Sequence, residues 1–313
     1  MTQAVLATSY GGPEVLEIRD VEVPAPGEGQ VTIDVRAAGV NPFDVKLYSG
    51  SMGSDPGRLP IPLGLEVSGV VTAVGPDATG PAGLVEVGDE VIGYPVSGGY
   101  AGSLTVPATS VFPKPGSLGF EQAAGLCATG VTAYHLVEAT RVGLGDTVLV
   151  HGVSGGVGLT TAQLALDRGA TVIGTAAAER HDALRDLGIV AVEYGEGLTD
   201  RVRALAPDGV HVALDTVGTD EAVDTSLALV DDHDRIATIA AFGRAEQAGI
   251  QLLGSGPGPG TEIRSRARLV LTALAERGLL RVVVARTFPL AEVAAAHAFV
   301  AEGHAGGKVV LVP

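Results

Sequence analysis

A single cysteine, Cys127, stands in 313 residues. That rules out an internal disulfide and a multi-cysteine zinc site, and it suits a reducing compartment, so a cytoplasmic protein is expected. Basic side chains are scarce as well: 20 Lys and Arg face 36 Asp and Glu, a net charge of −16. This argues against nucleic-acid or anionic-membrane partners, which need positive surface, and any anion the chain binds must meet a local site. Spanning runs are missing. The uncharged residues 91–113 carry four glycines and three prolines, and residues 147–166 include His151, Ser154, Gln163 and four glycines, so neither reads as a membrane helix. The first residues, MTQAVLATSYGGPE, have no basic start and no long apolar core, and no signal peptide is expected there. No fixed-period repeat is present, and the short GSGPGPG at 254–260 reads as a flexible loop.

Glycine is in excess, with 45 residues, about twice its ordinary share, and it follows no G-X-Y period. Such a chain makes many tight turns and close backbone approaches. Hydrophobic residues at 46% and charged residues at 18% place it among globular proteins, and the length suits two domains.

The first hundred residues read as strands. Val31, Ile33 and Val35 alternate with polar partners, and EVSGVVTAVG and VEVGDEVIGY follow as short β-rich runs broken by Gly and Pro, so a compact antiparallel domain is expected. From residue 120 the period changes. FEQAAGLCATGVTAYHLVEAT reads as one helix. DTVLVHG, ATVIGTA, VAVEY, VHVALDTVG and DRIATIAAFG then read as strands separated by helical segments. Repeated strand, helix, strand units give an α/β domain with a doubly wound parallel sheet. The last 35 residues shift to strand, helix and strand (LRVVVARTF, LAEVAAAHAFVAEG, GKVVLV) and are read as returning to the first domain.

The central motif is VLVHGVSGGVGLTTAQLA: apolar strand, glycine-rich turn, helix start. Gly152, Gly155, Gly156 and Gly158, with Ser154 and Val157 among them, let the main chain approach a ligand where any Cβ would intervene. The free N–H groups at the start of the helix, with about half a positive charge, suit a pyrophosphate. Val153 stands where G-x-G-x-x-G has its first glycine, but the strand and helix on either side supply the context the motif requires. The next strand ends at Thr175 and Ala176 without a carboxylate to hold an NAD ribose. Arg180, followed by His181, suits the 2′-phosphate of NADP, with Glu179 as the opposing feature. The expected cofactor is NADPH. Val217, Gly218, Ala240 and Ala241 end the fourth and fifth strands, where they are expected to give an apolar wall and backbone bonds to the nicotinamide.

AAGVNPFDVKLYSG, LGLEVSGVVTAVG, VEVGDEVIG, LVHGVSGGVG and the terminal GKVVLV occur in the order seen in medium-chain dehydrogenase/reductases, and the chain resembles their zinc-free quinone oxidoreductase (zeta-crystallin-like) branch over nearly its whole length. The resemblance implies a GroES-like catalytic domain over 1–118, a Rossmann domain over 119–279, and a segment 280–313 returning to the catalytic domain. It also implies a homodimer and a small-molecule substrate, a quinone or an α,β-unsaturated carbonyl. Zinc-dependent relatives carry a Cys near the first motif and a His before the Glu of GHE; here NPFD and Leu65 stand instead, and no metal is expected. Without a Lewis acid, conjugated acceptors are favoured because they spread the developing charge.

The resemblance also sets a loop from Asn41 to Tyr48 beside the nicotinamide. Asn41, Lys46 and Tyr48 are the candidate donors to the substrate oxygen, and Asp44 is expected to orient Lys46 or the backbone because an ordinary carboxylate is ionised at neutral pH. Thr129 and Thr132 are placed near the cofactor. Cys127 reads as a buried structural thiol, and His297 and His304 as satisfied histidines. An enoyl or tailoring reductase on a thioester or polyketide, and a dinucleotide-binding protein without turnover, remain open alternatives.

Overall fold

The computed structural model describes residues 1–254, 258, 260–303 and 305–313; His304 and part of the 254–260 segment therefore lie outside the described residues. Strands β1 (Thr2–Ala7), β2 (Leu16–Val21) and β3 (Gln30–Val40) come first, then the helix α1 (Pro42–Tyr48). They are followed by β4 (Ile61–Pro62), β5 (Glu66–Val74), β6 (Thr79–Gly80), β7 (Gly83–Leu84), β8 (Glu90–Gly93), β9 (Ser103–Pro107) and β10 (Val111–Pro113). Helices α2 (Phe120–Ala123) and α3 (Cys127–Ala139) lead into β11 (Thr147–His151), α4 (Gly156–Asp167), β12 (Thr171–Thr175), α5 (His181–Arg185) and β13 (Val190–Val192). Next are α6 (Leu198–Leu205), β14 (Val212–Asp215), α7 (Asp220–Leu229), β15 (Ile236–Thr238), α8 (Phe242–Ala248) and β16 (Gln251–Leu252). The chain closes with α9 (Thr261–Glu276), β17 (Val284–Pro289), α10 (Val293–Ala301) and β18 (Lys308–Val312).

Two compact units share these elements. Met1–Ala128, Leu269–Gly278 and Val282–Pro313 form the first; Thr129–Arg268 and Leu279–Arg281 form the second. In the first unit the main sheet runs β10-β8-β5-β3-β18-β17, with β9 also on β3. The carboxy-terminal strand β18 thus lies antiparallel against β3 and parallel to β17. Val31, Ile33 and Val35 of β3 face a core that includes Leu63, Val67, Leu104 and Leu311. Thr32, on the other face, is buried too, its hydroxyl 2.8 Å from that of Thr105 on β9.

The second unit is a six-stranded sheet in the order β13-β12-β11-β14-β15-β16, with every pairing parallel. That is the doubly wound Rossmann order, in which the chain leaves the central strand β11 first on one side and then on the other. The carboxyl ends of β11 and β14 therefore flank a topological switch point, the place where such sheets receive ligands.

Three local readings are corrected. Residues 42–48 are a helix rather than a loop, with Asn41 as the N-cap: Pro42 occupies the first turn, and the Asp44 carboxylate accepts from the Asn41 backbone N–H at 2.9 Å, the acid half of a capping box. The single helix read over 120–140 is two, α2 and α3. Gly125 lies at the break because a Cβ there would come 2.9 Å from Lys308 Cγ, and the new helix start is held by Glu66, which accepts from Ala128 N–H at 2.8 Å. Helix α9 is an addition. Ala267, Leu271 and Ala275 form its buried stripe, but Arg264, Arg266 and Arg268 interrupt the apolar pattern in sequence.

Candidate functional site

The turn after β11 is built from main chain. Gly152 has φ +74°, and a Cβ on it would run into Val217; a Cβ on Gly158 would run into the Gly152 carbonyl. Gly155 is the N-cap of α4 and supplies no side chain, so the first N–H groups of a 12-residue helix have no side-chain acceptor. These groups carry the partial positive charge that a pyrophosphate needs, and the missing Cβ atoms leave the approach open. The residues therefore fit a dinucleotide.

Val153 is fully buried, and its methyls cover Gly174 of β12, where any Cβ would collide with them. Its N–H donates to Thr175 O at 3.0 Å. A side chain is accommodated at the first motif position because it points into the sheet. Thr175 is also buried, and its hydroxyl accepts from Gly152 N–H at 3.0 Å, which places it under the turn as a support. Ser154, Gly156 and Val157 are half-buried, and the Ser154 hydroxyl has no partner among the described residues. Arg180 is half-buried in the short turn Ala178–Arg180, and its guanidinium makes no hydrogen bond or ion pair among the described residues. Thr129 and Thr132 are half-buried on α3.

The ends of β14 and β15 are tied to one another. Asp215, 1% exposed, accepts from Val217 N–H and Gly218 N–H, each at 2.9 Å, and from the Thr238 hydroxyl at 2.6 Å. Thr238 accepts in turn from Ala240 N–H at 3.1 Å and Ala241 N–H at 3.0 Å. Val217 is 48% exposed, Ala240 half-buried and Ala241 buried. Neither Asp215 nor Thr238 was singled out from sequence, although a carboxylate closing the apolar run VALD was the available signal. Nearby, burial holds the His151 imidazole well below its usual pKa, against the opposing pull of the Asp215 charge; its Nε2 lies 3.2 Å from Ser226 Oγ.

In the first unit the candidate donors of residues 41–48 are largely engaged. Asn41 is buried, and its amide hydrogens go to Gly39 O at 3.3 Å and Glu66 Oε1 at 3.2 Å. Its carbonyl accepts from Lys308 Nζ at 2.7 Å, and Lys308 also pairs with Glu66 Oε1 at 2.7 Å. Both Asn41 amide hydrogens are thus engaged inside the protein in this structure. Tyr48 is fully buried, with its hydroxyl 2.9 Å from His297 Nδ1. Lys46 is exposed on the last turn of α1.

Asp44 orients the backbone through Asn41 N–H and accepts from the Tyr100 hydroxyl at 2.8 Å; Lys46 is not its partner in either bond. It is not an ordinary carboxylate. Burial pushes its pKa up to about 6, against the lowering effect of the Tyr100 and Asn41 hydrogen bonds and the Lys308 charge. His297 is buried with Nε2 unpartnered, and burial lowers its pKa to about 4, so it is only half satisfied. Cys127 is buried, as read from sequence. A cavity of about 390 Å³ in this unit is lined by Phe43, Leu47, Arg58, Ile61, Leu65 and Val96 among others, a size suited to a small ring. Among the described residues, no three His, Cys, Asp or Glu side chains gather as a metal ion requires.

Residues 27–116 match the alcohol dehydrogenase GroES-like domain family, and residues 190–311 match the zinc-binding dehydrogenase family. Quinone oxidoreductase of Mus musculus is 31% identical over 331 residues, spanning 100% of this chain and 98% of the relative. A mycobacterial structure described as complexed with NADPH superimposes with a TM-score of 0.84 at 32% identity, covering 100% of both chains. The CurK enoyl reductase gives 0.85 at 25% identity over 99% of both chains. With a GroES-like unit, a Rossmann sheet and this full-length similarity, the chain belongs to the quinone oxidoreductase branch of the medium-chain dehydrogenase/reductases.

Proposed function

We propose that the protein is an NADPH-dependent, zinc-independent oxidoreductase that transfers hydride to a quinone or an α,β-unsaturated carbonyl. One observation carries the reading: the glycine turn after β11 opens onto the uncapped start of α4, with the unpaired Arg180 just beyond the end of β12. In this reading the backbone from Gly152 through Gly158, with Ser154, Gly155, Gly156 and Val157, holds the pyrophosphate. Arg180 holds the 2′-phosphate, Thr175 braces the turn, and Thr129 borders the cofactor. Val217, Gly218, Ala240 and Ala241 border the nicotinamide. When bound, NADPH supplies the hydride.

The chain's own contribution to the acceptor side is modest, and that favours a conjugated substrate. Both Asn41 amide hydrogens already serve buried bonds, Tyr48 is fully buried against His297 Nδ1, and Leu65 stands where zinc relatives have a ligand. A quinone or enone disperses the incoming charge, so solvent or the exposed Lys46 suffices to deliver the proton. The apolar cavity beside α1 is the proposed seat of the ring. Domain limits of 1–118 and 119–279, with 280–313 returning, and a cytoplasmic homodimer complete the proposal; light scattering of the purified protein tests the dimer.

A second reading, an enoyl or tailoring reductase on a thioester or polyketide, draws support from the likeness to the CurK enoyl reductase. NADPH oxidation by metal-stripped protein, followed with a panel of quinones, enones and acyl thioesters, separates them. Turnover with quinones or simple enones is expected. Turnover of thioesters alone selects the second reading, and NADPH binding without any turnover selects a non-catalytic dinucleotide-binding role.

A further inference from the structure

The buried pair at the carboxyl ends of β14 and β15 does more than end two strands. Asp215 Oδ1 gathers the N–H groups of Val217 and Gly218, Thr238 Oγ1 gathers those of Ala240 and Ala241, and the Thr238 hydroxyl proton joins the two sets through Asp215 Oδ2. Four backbone donors from two loops thus converge on one carboxylate and one hydroxyl, both excluded from water. The loops touch as well: Gly218 sits at φ +79°, and a Cβ on it would come 2.8 Å from the Ala240 carbonyl carbon. The Ile239 N–H closes the arrangement onto Asp215 O at 3.1 Å. Burying an ionised carboxylate is costly unless its lone pairs are met. Here they are met by loop amides beyond the strand ends, on the edge of the sheet where ligands bind.

We propose that Asp215 and Thr238 are positioning residues for the nicotinamide end of the dinucleotide. This rests on the NADPH reading above. Neither side chain touches cofactor or substrate; each acts by fixing the direction in which the 217–218 and 240–241 backbone faces the ligand. The polarity of the pair is definite. Thr238 Oγ1 already accepts two N–H bonds and uses its single hydrogen on Asp215. An Asn at 215 would turn an NH2 group toward an oxygen with no capacity left, and a Val at 238 would orphan two amides and one carboxylate oxygen. A Ser at 238 keeps every bond.

Two ligands separate positioning from general collapse: NADPH, and 2′-phospho-ADP-ribose, which has the adenosine and pyrophosphate but no nicotinamide. Wild-type protein is titrated with both, by fluorescence and calorimetry. Thr238→Val and Asp215→Asn are expected to lose about 10-fold or more in NADPH affinity. They should keep 2′-phospho-ADP-ribose affinity within about 2-fold, and Thr238→Ser should keep both. With NADPH deuterated at the transferred position, the isotope effect on turnover should rise in Thr238→Val and stay at the parent value in Thr238→Ser. Equal losses on both ligands, or no loss on NADPH, overturn the proposal. If wild-type protein binds neither ligand, the NADPH reading itself falls. Amide hydrogen exchange in the wild type holds if the variants do not fold: NADPH should slow exchange at 217–218 and 240–241 beyond what 2′-phospho-ADP-ribose does, and identical protection by the two overturns the assignment.

Discussion

The guanidinium of Arg180 meets no partner among the described residues; most other arginines are tied to a carboxylate or a carbonyl, although Arg58, Arg277, Arg281 and Arg286 are not. In a chain with a net charge of −16, the role proposed for this half-buried cation just past the end of β12 is to hold the 2′-phosphate. Arg180→Ala is expected to weaken NADPH by about 10-fold to 150-fold, the equivalent of one charge-assisted hydrogen bond, and to leave NADH unchanged. Parallel titrations with the two nucleotides check this, and equal losses would remove Arg180 from the phosphate site. Gly158 is a second point of this kind. Its missing Cβ leaves room for the Gly152 carbonyl, so Gly158→Ala must move the turn. A loss of about 1–3 kcal/mol in stability is expected from the overpacking, together with weaker NADPH binding. Urea unfolding and a fluorescence titration report the two separately, and a variant with parental NADPH affinity would show that the turn's closeness is not needed for binding.

At the scale of elements, the Glu66, Lys308 and Asn41 cluster joins β5, β18 and the start of α1, and Glu66 also holds the start of α3 through Ala128 N–H. Both charges are buried, so removing one leaves the other uncompensated. Lys308→Met is expected to cost about 3–5 kcal/mol, and the double variant Glu66→Gln with Lys308→Met to recover part of it. Urea midpoints of the four proteins in the cycle test this; losses that simply add would mean the pair is not coupled. The same cluster shows where sequence reading stops. Val31, Ile33 and Val35 announce β3 through a period of two, and the glycines after VLVH announce their turn because Gly152 takes a positive φ and neither it nor Gly158 has room for a Cβ. Asn41 and Pro42 also look like turn residues, yet a carboxylate three positions after Asn41 makes them a helix start. Nothing local reveals that the Asn41 side-chain carbonyl accepts from Lys308, 267 positions away in sequence. Asp215 and Thr238 were hidden for the same reason: each is an ordinary strand-end residue until the neighbouring strand is placed beside it.

Across the whole molecule, buried titratable groups pull the acid stability in opposite directions. His297 has its pKa lowered by burial from 6.5 to about 4, and His151 is also lowered. Between the unfolded and folded values the unfolded chain binds more protons, so the stability these histidines contribute is present above about 6.5 and is lost as the pH falls toward 4. Asp44 is the reverse case. Its pKa rises by burial from 3.8 to about 6. Its contribution is therefore complete below the unfolded value and is lost as the pH rises through 6. Asp44 and His297 nearly offset one another, leaving His151 and His135, whose pKa burial also lowers, to give a net fall in stability on acidification. Asp44→Asn removes only the opposing member. The stability difference between pH 6 and pH 4 should then grow by about 2 kcal/mol in the variant relative to the parent, even though the variant's weakened α1 cap lowers both values. Taking the difference between the two proteins cancels the exposed carboxylates they share, so the comparison isolates the buried group. Urea unfolding at several pH values measures it, and parallel pH profiles for parent and variant would mean that Asp44 titrates like a solvent-exposed acid.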